Sequence, residues 1–250
     1  MIQSWLTEIQ ERYEIDILFA VEAGSRAWGE ATSQSDHDIR FIFKARDIKK
    51  YVSLEKALET LDFPEPYDAV GWDLFKALHL LEKSNYSLLE WVRSPIVYQD
   101  HHYFSDKLKT LIQESYSLFT LYQHYIRLMA RNIKDVRSKE FSDKRQKQMI
   151  HAVRSYLLAK EIIVNRRIPF DGLYCNLQAN TVENRMALFY DQLIAAKKMG
   201  RVLNNKYGIE EIITIMEKER TILDQAAIKL PRGKRITTEL NQWIWELLDL

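Results

Sequence analysis

AGSRAWGEATSQSDHDIRFIF, residues 23–43, is the stretch on which both the fold and the chemistry turn. Before it, Ile15-Asp16-Ile17-Leu18-Phe19-Ala20-Val21 is a short apolar, partly β-branched run bounded by charge, which reads as a buried strand. Gly24-Ser25-Arg26-Ala27-Trp28-Gly29 interrupts that run. Asp38-Ile39-Arg40-Phe41-Ile42-Phe43 then reads as a second strand, with Ile39, Phe41 and Phe43 on one face and Asp38, Arg40 and Ile42 on the other. A Gly-Ser pair leaving a strand and entering a short helix offers backbone N–H groups and a hydroxyl, which suit a phosphate. Gly24 lets the backbone approach closely, and Ser25 can donate to a phosphate oxygen or cap the helix. Asp36 and Asp38 stand two apart at the expected strand start, so their side chains share a face with Cα atoms about 6.5–7 Å apart. Carboxylates that converge repel each other unless a cation lies between them, and hard oxygen ligands suit Mg²⁺. A metal pair about 3.5–4 Å apart could bind a triphosphate and activate an attacking hydroxyl. Taken singly, a Gly-Ser is most often a turn and an Asp-x-Asp most often solvated surface; their order on strand, turn, helix and strand is what carries the reading.

Outward from this stretch the chain alternates element types. Ile2, Trp5, Leu6 and Ile9 have helical spacing. Residues 46–60 read as helical, Pro64 and Pro66 end what precedes them, and Tyr67 to Trp72 reads as a third strand. Asp73 is placed to cap a helix running through Lys83, Asn85 to close it, and Ile96-Val97-Tyr98 to form a short edge strand. From about residue 105 the periodicity is helical almost throughout, over 105–137, 143–166, 183–200, 209–228 and 236–249, with breaks at Pro169, Gly172 and Leu230-Pro231-Arg232-Gly233. The expectation is an α+β protein: a small mixed-sheet domain over residues 1–104, then an all-helical domain over 105–250 that covers a cleft on the first.

Composition sets outer bounds. Of the 250 residues 46% are hydrophobic and 28% charged, as in ordinary globular proteins, and seven Gly and five Pro favour long regular elements. No stretch approaches the ~20 apolar residues that cross a bilayer, so no membrane partner is expected. The opening MIQSWLTEIQERYEID has four acidic residues and no apolar h-region, so it does not read as a signal peptide, and the cytoplasm is the expected compartment. The single cysteine, Cys175, leaves no internal disulfide partner and no thiolate metal cage. The net charge of +1 hides an asymmetry: residues 1–126 carry 13 Lys/Arg against 20 Asp/Glu, and residues 127–167 carry 12 against 4. Such a basic block is either a solvated helix face or a wall towards an anionic ligand.

The segments GSRAWG, SDHDIRFIF and DAVGWDLFKALHLLEKSNYSLLEWVRSPIVY (68–98) resemble the DNA polymerase β-like nucleotidyltransferase superfamily, and within it a bacterial, RNA-ligase-associated family. The resemblance is strong over about residues 16–100 and weaker through YLLAKEIIVNRRIPF at 156–170. His37 departs from the superfamily, which usually has an apolar residue between the two aspartates. The resemblance implies two Mg²⁺ (or Mn²⁺) ions held by Asp36, Asp38 and a third carboxylate on a later strand. Asp68, set between Tyr67 and Ala69, fits that third position better than Asp73, which capping already explains. It further implies that Gly24 and Ser25 grip the phosphates of an NTP, that Asp68 helps deprotonate an acceptor hydroxyl, and that pyrophosphate leaves. Arg26 and Arg40 could neutralise phosphate charge or pair with surface acids; Lys76 could reach the triphosphate, while Asn85 and Glu90 fix the following loop.

The basic helix DKRQKQMIHAVRSYLLAKEIIVNRR brings Arg145, His151 and Arg154 near one face, and Arg154 is the expected nucleotide ligand among them. Arg145 and His151 also match the short Arg-x(4–6)-His pattern of HEPN-type ribonucleases, a pattern any basic helix can produce. The acceptor is open, RNA, protein or small molecule, because the fold does not choose among them. The competing expectation is a catalytically silent nucleotide- or RNA-binding module, favoured if one carboxylate of the triad were missing.

Overall fold

The structure is a computed structural model that describes residues 1–54, 57–170, 181–203 and 205–250, so Gly172 and Cys175 lie outside the described residues. Two compact units are present, Met1–Tyr116 with Lys234–Leu250, and Ser117–Gly233.

The first unit is α+β. Helix α1 (Ile2–Tyr13) leads into strand β1 (Ile15–Glu22), the four-residue turn of helix α2 (Gly24–Ala27) and strand β2 (Asp38–Ala45). Strands β3 (Thr60–Phe63) and β4 (Asp68–Asp73), helices α3 (Leu74–Glu82) and α4 (Tyr86–Val92), and strand β5 (Val97–Asp100) follow. The sheet order is β3-β4-β2-β1-β5. All neighbouring pairs are antiparallel except β2 and β4. The alternation along β2 works as expected: Ile39, Phe41 and Phe43 bury with Leu6 and Ile9 of α1, Ile15 and Ile17 of β1, and Ala69 of β4. Burying one face of three adjacent strands under one amphipathic helix fixes their register, because a one-residue slip would turn those side chains outward. Gly71 of β4 belongs to the same fit, since a Cβ there would lie 2.3 Å from the Phe41 ring.

Three local expectations change. Among the described residues of 46–60 the helical element is a 3₁₀ turn at Ile48–Val52, and Thr60 already begins β3. That strand buries a single side chain, Leu61, so it carries almost no hydrophobic signal and owes its form to the free edge of β4. Asn85 does more than close α3, where its N–H donates to the Leu80 carbonyl: it also starts α4, its side chain accepting the N–H of Leu88. The helical run 105–137 is two helices, α5 (Phe104–Ser115) and α6 (Leu118–Arg137), separated where Tyr116 is extended and the Ser117 side chain caps α6. Helix α10 (Thr237–Leu248), like α5, belongs to the first unit: Lys44 donates to the Leu247 carbonyl, and Phe104 stacks on Trp243 at 4.7 Å. The change to helical periodicity near residue 105 therefore does not mark a unit boundary.

The second unit is helical, built from α6, α7 (Asp143–Asn165), α8 (Thr181–Lys198) and α9 (Lys206–Ala227). Its interior includes the buried Tyr122, Tyr125, Met129, Ile150, Val153 and Tyr156 of α6 and α7. Buried phenols need partners: Tyr122 donates to Asp224, and Tyr156 to Glu219. Among the described residues no helix is long and apolar enough to cross a membrane.

Candidate active site

The parallel pairing of β2 with β4 sets Asp38 opposite Asp68 and Phe43 opposite Asp73. Asp38 and Asp68 thus share one end of the sheet, and Asp73 stands about 16 Å away at the other, five residues along the strand. There Asp73 accepts the N–H of Phe75 as the cap of α3 and the hydroxyl of Tyr51 at 2.7 Å. Burial pushes its carboxyl up against the opposing pull of those hydrogen bonds. A cavity of about 240 Å³, lined by Ile15, Phe43, Ala45 and Asp73 among others, opens at this second end and not beside Asp38.

Two carboxylates side by side need a counter-charge, and Arg40 supplies it. Its Nη1 lies 2.9 Å from Asp68 Oδ1 and its Nη2 3.6 Å from Asp38 Oδ1. Even so, burial pushes the Asp38 carboxyl above its ordinary range; Arg40 works against that shift, while Asp68, Glu22 and Asp36 add to it. Asp36 is exposed and lies two residues before β2, in the loop, so it and Asp38 are not successive same-face positions of one strand as the spacing had suggested.

Gly24 makes the closest approach. Its φ is +54°, and a Cβ built on it would fall 1.8 Å from Asp38 Oδ2. Any other residue would collide with the carboxylate and pay the left-handed strain as well. Ala23 donates to the Asp38 carbonyl at 2.7 Å, so the turn and the strand start are bonded together. Ala23, not Ser25, takes the cap position of α2; Ser25 lies inside the turn, where its carbonyl accepts the N–H of Glu30. Arg26 directs its guanidinium to the carbonyls of Ser35 (2.7 Å) and Asp36 (3.2 Å), bracing the loop that carries Asp36.

The group missing from the sequence reading is Glu22. It is fully buried at the end of β1. One carboxylate oxygen accepts the N–H of Asp38 at 2.7 Å; the other accepts His37 Nδ1–H at 2.6 Å and the hydroxyl of Tyr98. Burial and the Glu22 carboxylate together push the Tyr98 phenol up. An acid that directly continues an apolar strand run was the available signal, because such a residue must bury a charge and therefore needs donors. His37 between the aspartates is explained by the same bond.

Within the first unit, Lys76 does not join this cluster. Lys76 is on the first turn of α3, at the Asp73 end of β4, where it bonds Thr60 and lies 5.9 Å over the Trp72 ring. Glu90 is half-buried on α4. Arg154 is in the second unit, nearly buried on α7, with Nη2 donating to His151 Nδ1 at 2.6 Å. Arg145 on the same helix donates to Gln148.

Among the described residues no three carboxylate, imidazole or thiol side chains stand close enough together to hold a metal ion. The donor chemistry nevertheless suits a hard divalent cation: two carboxylates in register, a third on the adjoining loop, and a guanidinium standing as the cation between the first two.

The sequence profile of the RNA repair pathway DNA polymerase beta family matches residues 1–246. The chain is 31% identical over 247 residues to the uncharacterized protein YcgL of Bacillus subtilis (strain 168), covering 98% of this chain and 94% of that one. A solved nucleotidyltransferase-like protein from Exiguobacterium sibiricum 255-15 aligns over 90% of this chain and 75% of its own, at 13% identity and a TM-score of 0.31.

Proposed function

Since the chain belongs to the RNA repair pathway DNA polymerase beta family, a polymerase β-like nucleotidyltransferase family, we propose that it transfers a nucleoside monophosphate from an NTP to an acceptor hydroxyl. The observation that carries this reading is the register of Asp38 with Asp68, closed by a cation and backed by a glycine that no other residue could replace. Asp36, Asp38 and Asp68 would hold two Mg²⁺ or Mn²⁺ ions, whose chemistry is to neutralise the triphosphate and acidify the acceptor hydroxyl. The Gly24-Ser25 turn would meet the phosphates with backbone N–H groups, and Arg26 would keep the loop of Asp36 in place. In the transfer, the acceptor oxygen bonds to the α-phosphorus and the bond from that phosphorus to the β-phosphate oxygen breaks. Pyrophosphate leaves, and the hydroxyl proton passes to Asp68, the most open of the paired acids with 57% of its side chain exposed.

The test is incubation with labelled NTPs, Mg²⁺ or Mn²⁺, and pooled cellular RNA or protein. Label should reach an acceptor with the wild type and not with Asp36→Asn/Asp38→Asn; equal labelling by both would remove the site from consideration. RNA is one acceptor class to offer, in keeping with the family's description. A second reading, a silent nucleotide- or RNA-binding module, draws on Arg40, whose guanidinium stands against both Asp38 and Asp68. Metal-dependent NTP binding with no acceptor ever labelled would favour that module.

A further inference from the structure

A carboxylate buried as completely as Glu22 is a weak device for stability, since an apolar side chain continuing the run of β1 would avoid the desolvation cost. What Glu22 does instead is join three segments at the acidic cluster. It receives the backbone N–H of Asp38, the ring of His37 and the hydroxyl of Tyr98 on β5. Its own backbone is fixed as well: its N–H donates to Ile96, and Ser94 donates to its carbonyl. His37 extends the chain of contacts, for its ring meets Tyr67 edge-on with centroids 6.0 Å apart, and Tyr67 immediately precedes Asp68. Asp36 and Asp38 flank His37, so all three acids lie next to a residue that Glu22 holds directly or through one ring.

We propose that Glu22 is the positioning residue of this cluster, orienting Asp38 through its backbone N–H and Asp36 and Asp68 through His37. This rests on the reading of those acids as the transfer site. An outer-sphere partner that orients ligands is commonly worth 10–100-fold in metal affinity or activity.

Mn²⁺ affinity, read from the signal of the free ion, and amide exchange of the metal-free protein together test the idea. Glu22→Gln keeps the shape but has one acceptor oxygen, so Mn²⁺ affinity should fall at least tenfold, and the Asp38 amide should exchange at least tenfold faster while Phe41 in the same strand is unchanged. His37→Phe should lose Mn²⁺ affinity similarly, because it keeps a ring against Tyr67 and loses the bond to Glu22. His37→Asn places an amide N–H where Nδ1 was but takes the ring away from Tyr67, so it should bind Mn²⁺ more tightly than His37→Phe and less tightly than wild type. If Glu22→Gln fails to fold, the two His37 variants decide alone, since the His37 ring is partly exposed. Wild-type Mn²⁺ affinity in folded His37→Phe, or unchanged Asp38 exchange in folded Glu22→Gln, overturns the proposal. Loss of Mn²⁺ binding in Asp38→Asn alone would overturn it and leave the transfer site standing. A wild type that binds no Mn²⁺ even with NTP would remove the site itself, and the exchange rates would still judge the positioning.

Discussion

Gly24 presents a bare Cα to the carboxylate of Asp38, with room for no further atom: a Cβ there would stand 1.8 Å from Oδ2. The contact joins the turn after β1 to the first residue of β2, and it makes the glycine part of the acid's binding geometry as well as part of a turn.

Gly24→Ala should therefore fail twice. The backbone at φ +54° costs an alanine about 1–2 kcal/mol, and the methyl must displace Asp38. Chemical denaturation should show a loss of at least that size, and Mn²⁺ binding should be lost with it. Gly29, at φ +69° with open space where its Cβ would go, is the control: its alanine variant should show the backbone cost alone and bind Mn²⁺ normally.

Arg40 makes a second prediction. In the metal-free protein Arg40→Gln leaves Asp38 and Asp68 facing each other, and Asp68→Asn should relieve much of that repulsion. A double-mutant cycle should give a coupling of about 0.5–1 kcal/mol, small because Asp68 is mostly exposed. Mg²⁺ should raise the melting temperature of Arg40→Gln more than that of wild type, since the ion no longer competes with a guanidinium. An equal rise in both would show that Arg40 and the metal do not share a place.

Asp73 and Asp68 separate capping from chemistry. Asp73→Ala removes the cap of α3 and the acceptor of Tyr51, and should cost about 1–2 kcal/mol in denaturation with Mn²⁺ affinity unchanged. Asp68→Ala should do the reverse, with little change in stability and loss of Mn²⁺ binding. Loss of metal on Asp73→Ala in a folded protein would transfer the third position to Asp73.

These sites differ in how visible they were before any coordinates. Alternation in Asp38–Phe43 was legible because one face had to be buried, and the capping of α3 by Asp73 because an aspartate preceded a helical apolar pattern. Strand β3 was not legible, since one buried leucine leaves no period to detect and the pairing comes from the following strand, β4. Asp68 could be preferred to Asp73 because capping already explained Asp73, but the parallel register that sets Asp68 opposite Asp38 is encoded in no local pattern. Glu22 was not legible, because it is defined by donors from two separate segments, 37–38 and Tyr98, while Arg40 was legible as a charge that could pair with acids but not as the partner of two acids 30 residues apart in sequence. For Arg26 the sequence shows a charge that could meet a phosphate or a surface acid, and not the carbonyls of Ser35 and Asp36 to which it is bonded.

His124 on α6 supplies a pH prediction for the helical unit. Burial, then the nearby Arg131 and Arg127, push its imidazole down to about 4. In the unfolded chain it titrates near its ordinary value of about 6.5. Between these two values the unfolded chain binds the additional proton, so protonation favours unfolding; the stability present above about pH 6.5 is lost as the pH falls towards 4. Because the ring is only partly buried, the loss should be about 1–2 kcal/mol rather than the full value of the shift. Urea midpoints at pH 7.5 and 4.5 should converge in His124→Gln relative to wild type, and Arg127→Gln/Arg131→Gln should reduce the same difference by lifting the folded-state value. Parallel curves for wild type and His124→Gln would show that the fold does not discriminate against the charged ring.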